Sequence, residues 1–110
     1  MAELHISSQA VAGVPTVYLT GELDSYSAPR VRTLLEGLAA ESHPCVRVHM
    51  GGLDYIDSTG LGMLVAALKQ ATDHEGQMEL IAPTPAVVRV LHITGLDKIF
   101  CISAEAPLIG

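Results

Sequence analysis

Residues 53–64 read Leu-Asp-Tyr-Ile-Asp-Ser-Thr-Gly-Leu-Gly-Met-Leu and lead from the end of an apolar strand into the start of a helix. Three consecutive residues at this junction are each able to cap a helix N-terminus: Asp57, Ser58 and Thr59. Two glycines, Gly60 and Gly62, leave room for a partner or an anion to approach the first helical turn. We therefore predict that this junction carries the functional site.

Strand and helix patterns alternate on both sides of the junction. Period-2 patterns and turn residues predict strands at 4–11, 14–22, 45–50, 77–81 and 99–102, the first two forming a hairpin through Ala12-Gly13 and the third ending at Gly51-Gly52. Apolar residues at helical spacing predict helices from Ala28 to near Ser42, from about Thr59 to His74 with Gly76 as the C′ glycine, and from Pro85 to Thr94-Gly95. The order β-β-α-β-α-β-α-β predicts one α/β domain over residues 1–110, with a mixed, mostly parallel sheet.

The helix that follows the junction has two unlike faces. One face is apolar and is predicted to be buried: Leu61, Leu64, Val65, Leu68 and Ala71. The other face is small and uncharged: Gly62, Met63, Ala66, Ala67 and Gln70. Because solvated helix faces usually carry charges, we interpret this second face as a docking surface. The alternative is that alanine and methionine stand there only as good helix formers.

Composition excludes several classes of function. A chain of 110 residues with 49% hydrophobic residues suits one domain, and a formal charge of −6 offers no basic surface to nucleic acid or to an anionic membrane. No apolar run approaches a membrane span of about 20 residues, so we expect a cytoplasmic protein. Cys45 and Cys101 are predicted to be reduced core residues. The histidine and cysteine spacing indicates no metal site, and we predict no cofactor.

Catalysis by the junction is not supported by its residues. The nucleophile elbow of hydrolases is Gly-x-Ser-x-Gly, but Ile56 occupies the position two residues before Ser58. The chain also lacks a P-loop. What remains is a hydroxyl that another protein modifies. A phosphate at a helix N-terminus is favoured by about 0.3 to 1 kcal/mol, so the fold should tolerate phosphorylation of Ser58. The phosphate adds about −1.5 to −2 units of charge, which a bound partner would not tolerate. We therefore predict that phosphorylation of Ser58 switches binding off.

Three segments together resemble the STAS domain, and specifically the bacterial anti-sigma factor antagonists of sporulation and stress pathways. The first is Gly21-Glu22-Leu23-Asp24, followed by Ala28-Pro29 and Arg32. The second is Asp57-Ser58-Thr59-Gly60-Leu61-Gly62, and the third is Ile93-Thr94-Gly95-Leu96-Asp97-Lys98-Ile99-Phe100. The family commonly ends in a further helix, whereas this chain offers only residues 104–110, so we expect that edge of the sheet to be open or used for association.

The resemblance implies a binding protein and not an enzyme. Antagonists of this family bind an anti-sigma factor that is also a serine kinase and displace a sigma factor from it. The kinase inactivates them by phosphorylating the serine that corresponds to Ser58, and a serine phosphatase restores them. Thr59 is a second candidate acceptor.

The resemblance and the uncharged helix face together imply a set of partner-binding residues: Asp24, Ser25, Tyr26, Asp57, Thr59, Gly60, Gly62, Met63 and Ala66. Asp24 either accepts hydrogen bonds or faces a partner cation, or it is a turn and capping residue before the first helix. Two other functions stay open at this point. One is a STAS scaffold or soluble subunit of a transport or stress-signalling complex that does not depend on phosphorylation, and the other is a nucleotide-binding or hydrolytic domain.

Overall fold

Five strands form a single sheet in the computed structural model, which describes residues 3–40 and 45–104. The strands are β1 (Leu4–Val11), β2 (Val14–Leu23), β3 (Cys45–Ile56), β4 (Gln77–Ile81) and β5 (Cys101–Ser103). The helices are α1 (Ala28–Ala40), α2 (Ser58–Asp73) and α3 (Pro85–Thr94), and a short 3₁₀ helix, Leu96–Lys98, precedes β5. The strand order is β1-β2-β3-β4-β5, antiparallel between β1 and β2 and parallel elsewhere. The predicted α/β fold is confirmed.

The N-terminal hairpin closes through a two-residue turn. Ala12 and Gly13 both have positive φ, 53° and 81°, as a type I′ turn requires, because this turn matches the right-handed twist of the strands. From the turn the register runs without a break from Val11 opposite Val14 to Leu4 opposite Gly21. The hairpin therefore forms as the sequence predicts, with one alanine in the left-handed region.

Strand β3 is longer than its sequence pattern suggests. We predicted that it ends before Gly51-Gly52, but it continues through both glycines to Ile56. Its register against β2 shifts in this stretch, and a Cβ on Gly52 would lie 2.7 Å from the Thr20 hydroxyl oxygen. Gly52 thus allows close approach of the two strands at an irregularity. The extension places Ile56, the last residue of β3, opposite Leu23, the last residue of β2.

Helix α2 is buried on more of its circumference than expected. Leu61, Leu64 and Ala71 are buried as predicted, whereas Val65 and Leu68 are only half-buried. Two residues of the face that we interpreted as a docking surface, Met63 and Ala67, are buried instead. Met63 and Ala67 are each 5% exposed, and α1 packs against α2. The docking interpretation is wrong for these two residues, because a second helix covers them.

The helix ends show one further difference. Helix α2 ends one residue earlier than predicted, and Glu75, not Gly76, adopts the left-handed conformation, with φ of 60°. The N–H groups of Glu75 and Gly76 donate to the Thr72 and Ala71 carbonyls, which is the Schellman arrangement with glycine at C″. The start of α3 at Pro85 and its end at Gly95, with φ of 76°, are as predicted.

The C-terminal strand is short. It spans Cys101–Ser103, later than the predicted 99–102. Both cysteines are free, but Cys45 is half-buried and Cys101 is exposed, so the prediction that both are core residues is wrong. The predicted end of the first helix near Ser42 and the short C-terminus at 105–110 lie outside the described residues. Within the described ranges, no helix combines the length and the apolar character needed to cross a bilayer.

Candidate functional site

The parallel pairing of β2 with β3 brings two helix starts to the same edge of the sheet. Leu23 and Ile56 are register partners, and the Asp57 N–H donates to the Leu23 carbonyl at 3.2 Å. Each strand is followed by an aspartate, Asp24 or Asp57, and then by a helix. The two segments that carry most of the predicted site residues therefore lie side by side, although 33 positions separate their aspartates in the chain.

Asp57 is the N-cap of α2. Its backbone is extended, and its Oδ1 accepts the Gly60 N–H at 2.9 Å, while its carbonyl accepts the Leu61 N–H at 2.9 Å. The cap is therefore complete without help from a hydroxyl. Of the three candidate caps in the sequence, the structure selects Asp57.

Ser58 and Thr59 are the first two residues of α2, and both are exposed. Among the hydrogen bonds of the described residues, none involves their hydroxyl groups or their backbone N–H groups. Unpaired N–H groups at a helix start are the donors that an anion would use. Ser58, the predicted phosphoacceptor, is thus open to an approaching enzyme.

Asp24 organises the start of α1. Its Oδ1 accepts the N–H groups of Tyr26 and Ser27 at 2.9 and 3.1 Å, and its carbonyl accepts the Ala28 N–H. The hydrogen bond from the Ser27 N–H is the largest cause that holds the pKa of Asp24 below its usual value. Partial loss of hydration raises this pKa, but the hydrogen bonds from the Tyr26 N–H and the Ser27 hydroxyl lower it further. Of the two roles left open for Asp24, the structure supports the turn and capping role.

Ser27 is the residue of this site that sequence reasoning missed. It is 6% exposed, and its hydroxyl accepts the Asp24 N–H at 2.9 Å. The one hydroxyl proton is shared between the Glu22 carbonyl at 3.0 Å and the Asp24 Oδ1 at 3.1 Å. Its only sequence signal was a position just before Ala28-Pro29, which is equally typical of a simple cap. Ser25 and Tyr26, which we did name, are exposed, and Tyr26 is 79% exposed.

Two of the predicted partner-binding residues are not on the surface. Gly60 is buried, and a Cβ there would lie 2.8 Å from the Leu23 carbonyl oxygen and 2.9 Å from the Leu23 Cγ. This glycine therefore serves the packing of α2 on β2 and not access by a partner. Met63 is buried as described above. Gly62, in contrast, is exposed with nothing near its Cβ position, and Ala66 is half-buried.

A hollow of about 330 Å³ lies between the first turns of α1 and α2. It is lined by Ala28, Pro29, Arg32, Thr59, Gly62 and Met63. Arg32 is the cation of this hollow, and its Nε pairs with Glu36 one turn further along α1 at 2.9 Å, with 56% of the Arg32 side chain exposed. The hollow places a positive charge in the same depression as Thr59, one residue from Ser58.

No group of three or more histidine, cysteine, aspartate or glutamate side chains is placed to hold a metal ion in residues 3–40 and 45–104. Three of the four histidines in these ranges make other contacts: His49 stacks on Tyr18, His74 bonds the Gln70 carbonyl, and His92 pairs with Asp97. The fourth, His5, lines a hollow beside Asp24, Tyr26 and Arg30.

Residues 5–107 match the family model described as the STAS domain. The chain is 38% identical over 90 residues to the anti-sigma-B factor antagonist of Bacillus subtilis, covering 82% of each protein. It is 32% identical over 83 residues to the protein of the same name from Listeria monocytogenes, covering 76% of this chain and 73% of that one.

Solved structures have the same fold. An anti-sigma factor antagonist from Mycobacterium paratuberculosis superimposes with a TM-score of 0.76 at 26% identity, covering 94% of this chain and 86% of that one. The phosphorylated form of the Bacillus cell fate determinant SpoIIAA superimposes with a TM-score of 0.69, covering 91% of this chain and 90% of that one; at 18% identity this likeness concerns the fold alone.

Proposed function

This chain belongs to the STAS domain family, and from that premise we propose that it is an anti-sigma factor antagonist whose binding is switched off by phosphorylation of Ser58. Its relatives are named as antagonists, which are regulatory proteins that act by binding, and this protein is likewise not an enzyme. The proposed partners are an anti-sigma factor with serine kinase activity and a serine phosphatase, all in the cytoplasm. Binding to the first partner releases a sigma factor.

The observation that carries the proposal is the state of Ser58. The residue is exposed at the first position of α2, and Asp57 alone makes the cap bond to the Gly60 N–H. A phosphate on Ser58 therefore removes no hydrogen bond of the described residues. The unpaired N–H groups and the dipole at the helix start favour the anion by about 0.3 to 1 kcal/mol. We expect the folded state to tolerate the modification.

A bound partner would respond differently. The phosphate adds about −1.5 to −2 units of charge next to Asp57 and in the same region as Asp24. One like-charge pair at about 6 Å costs on the order of 3 kcal/mol at an effective dielectric of about 20, which is about a hundredfold in affinity. Because the modification spares the fold and penalises an interface, it is suited to a reversible switch.

The partner surface that we propose is smaller than the sequence implied. It consists of Ser58 with the exposed residues Ser25, Tyr26, Thr59 and Gly62, and of the half-buried residues Asp24, Asp57 and Ala66. Gly60 and Met63 support this surface from below. Tyr26 is the largest exposed side chain of the set, and exposed aromatic residues are frequent anchors at interfaces.

The proposal is tested with three baits in a lysate of the source organism: wild type, Ser58→Ala and Ser58→Asp. We expect an anti-sigma factor of the serine kinase type to be identified by mass spectrometry with the first two baits and to be lost from the third. With that kinase purified, isothermal titration calorimetry should give a dissociation constant about a hundredfold higher for Ser58→Asp than for Ser58→Ala.

Incubation with ATP and the purified kinase then identifies the acceptor. Phosphate should map to Ser58, and Ser58→Ala should abolish its incorporation. Equal recovery of one partner by all three baits would contradict the switch and favour a scaffold that does not depend on phosphorylation. Phosphate incorporated only on Thr59 would show that Thr59, and not Ser58, is the acceptor.

A further inference from the structure

Strand β1 forms one edge of the sheet, and within residues 3–40 and 45–104 half of its backbone groups have no partner strand. In a two-residue hairpin the closing pair, Val11 and Val14, exchanges both hydrogen bonds, so the odd-numbered residues of β1 bond to β2. The bond from the Glu22 N–H to the Glu3 carbonyl has the same parity. The even-numbered residues therefore direct their N–H and C=O groups outward.

One outward carbonyl is already satisfied, because the Arg30 guanidinium donates to the Leu4 oxygen at 3.0 Å. Of the remaining outward groups, those of Ile6, Ser8 and Ala10 together offer three N–H donors and three C=O acceptors. Ser8 and Ala10 are exposed and Ile6 is half-buried. A row of unpaired groups of this kind is a template for another strand.

This edge lacks the devices that usually prevent strand pairing. Residues 4–11 contain no proline, lysine, arginine, aspartate or glutamate, and their register with β2 has no bulge. The opposite edge of the sheet is different, because β5 is only three residues long and is limited by its length. Of the two edges, β1 is the one that is able to accept a complete strand.

We propose that β1 pairs antiparallel with β1 of a second copy of this chain, about a two-fold axis at Ser8. In this register the two Ser8 residues form a hydrogen-bonded pair, and Ile6 of each copy pairs with Ala10 of the other. The three pairs use all six outward N–H and C=O groups of Ile6, Ser8 and Ala10 on each strand. The two sheets then join into one sheet of ten strands.

The side chains fit this register. Two small Ser8 side chains meet at the axis, and the half-buried Ile6 meets Ala10 of the second copy on the same face. On the other face Ser7 meets Gln9, so that no two charges face each other along the paired segment. The pairing is symmetric about Ser8, as a two-fold contact requires, because each strand supplies the same residues to the other. Each copy carries a charge of −6 elsewhere, so we expect pairing to strengthen as salt screens the repulsion.

The register is tested by disulfide trapping in a Cys45→Ser, Cys101→Ser background. In a hydrogen-bonded pair the Cα atoms lie about 5.5 Å apart, within disulfide range, so Ser8→Cys should give a covalent dimer of twice 11.6 kDa under mild oxidation. The matched control is Ala10→Cys, whose two copies would stand about 14 Å apart along the strands and should not be linked. Linking of Ala10→Cys as fast as Ser8→Cys would overturn the register.

Sedimentation equilibrium under reducing conditions tests the contact itself. Ser8→Pro removes an outward N–H that β2 does not use, and Ser8→Lys places two like charges at the axis. Each should raise the dimer dissociation constant at least about tenfold, whereas Cys101→Lys on the opposite edge should leave it unchanged. Circular dichroism verifies the fold of each variant. A monomer mass for the wild type up to about 1 mM would overturn the proposal.

Discussion

Helices α1 and α2 begin with the same capping arrangement, but the serine at the start of α1 is buried and the serine at the start of α2 is exposed. Each follows a strand of the same parallel pair, and each starts with an aspartate whose Oδ1 accepts the N–H of the residue three positions later: Ser27 for Asp24 and Gly60 for Asp57. Each start also contains a serine. At α1 the Ser27 hydroxyl is buried and bonded on both sides, whereas at α2 the Ser58 hydroxyl is exposed and bonded to none of the described residues.

A serine at a helix start is suited to a structural or to a regulatory role, and the burial and hydrogen bonds of its hydroxyl decide which. A buried hydroxyl with two hydrogen bonds stabilises the fold and is inaccessible to a kinase. An exposed hydroxyl beside a complete cap contributes little to stability and is available for modification. The structural role of Ser27 and the regulatory role that we propose for Ser58 belong to residues that follow two neighbouring strands of one sheet.

The largest effect should come from the residue that lets α2 start where it does. Gly60→Ala places a methyl group against the Leu23 carbonyl, and overpacking costs about 1 to 3 kcal/mol. Because the contacted atom is backbone and is unable to rotate away, we expect a net loss of about 2 kcal/mol in the free energy of unfolding, measured by urea denaturation.

The matched control for Gly60 is Gly62, two residues further along the same helix. Its Cβ position is open, so Gly62→Ala should stabilise the helix by about 0.5 to 1 kcal/mol. A Gly60→Ala variant as stable as wild type would show that the first turn of α2 is able to shift away from β2. The position of Ser58 would then not be held by packing.

The two serines should differ in their effect on stability. Ser27→Ala leaves the Asp24 N–H and the Glu22 carbonyl without a partner, and we expect a loss of about 1 kcal/mol. Ser58→Ala removes no hydrogen bond of the described residues and should change stability by no more than about 0.5 kcal/mol. Thermal unfolding followed by circular dichroism measures both variants, and equal losses would end the distinction between them.

A smaller effect is expected from the protonation of Asp24. Hydrogen bonds in the folded state lower the pKa of this carboxyl, so its stabilising contribution is complete above the pKa of the unfolded chain, about 3.9. The contribution is lost as the pH falls through the lower pKa of the folded state. Between about pH 6 and pH 2 the stability advantage of wild type over Asp24→Asn should therefore shrink. An advantage that is constant with pH would contradict the bonding of Asp24.

Much of the fold could be predicted from short-range patterns. The hairpin at Ala12-Gly13, the helix starts after Asp57 and at Pro85, and the stop at Gly95 follow from backbone conformations that particular residues favour. Strand β3 was predicted too short because Gly51-Gly52 normally marks a turn. Here the pair lies inside a strand, since its register against β2 is irregular at that point.

The site residues predicted from the sequence likewise come from short-range patterns. The sequence alone predicts Ser58, Asp57 and the Asp24 loop as site residues, because capping chemistry and the motif lie in contiguous residues, and this stays a prediction. It placed Gly60 and Met63 on the partner surface and overlooked Ser27. These three depend on how α1, α2 and the end of β2 pack together, and no local pattern reports that packing.

The class of fold and the position of the junction after β3 follow from the sequence alone, and so does the prediction that Ser58 carries a phosphate. These are properties of neighbouring residues along the chain. Only the tertiary structure decided which serine is buried, which glycine is a packing requirement and which edge of the sheet is open. The physical reason is that burial and hydrogen bonding at these places come from segments far apart in the chain, such as Leu23 against Gly60 and Arg30 against Leu4.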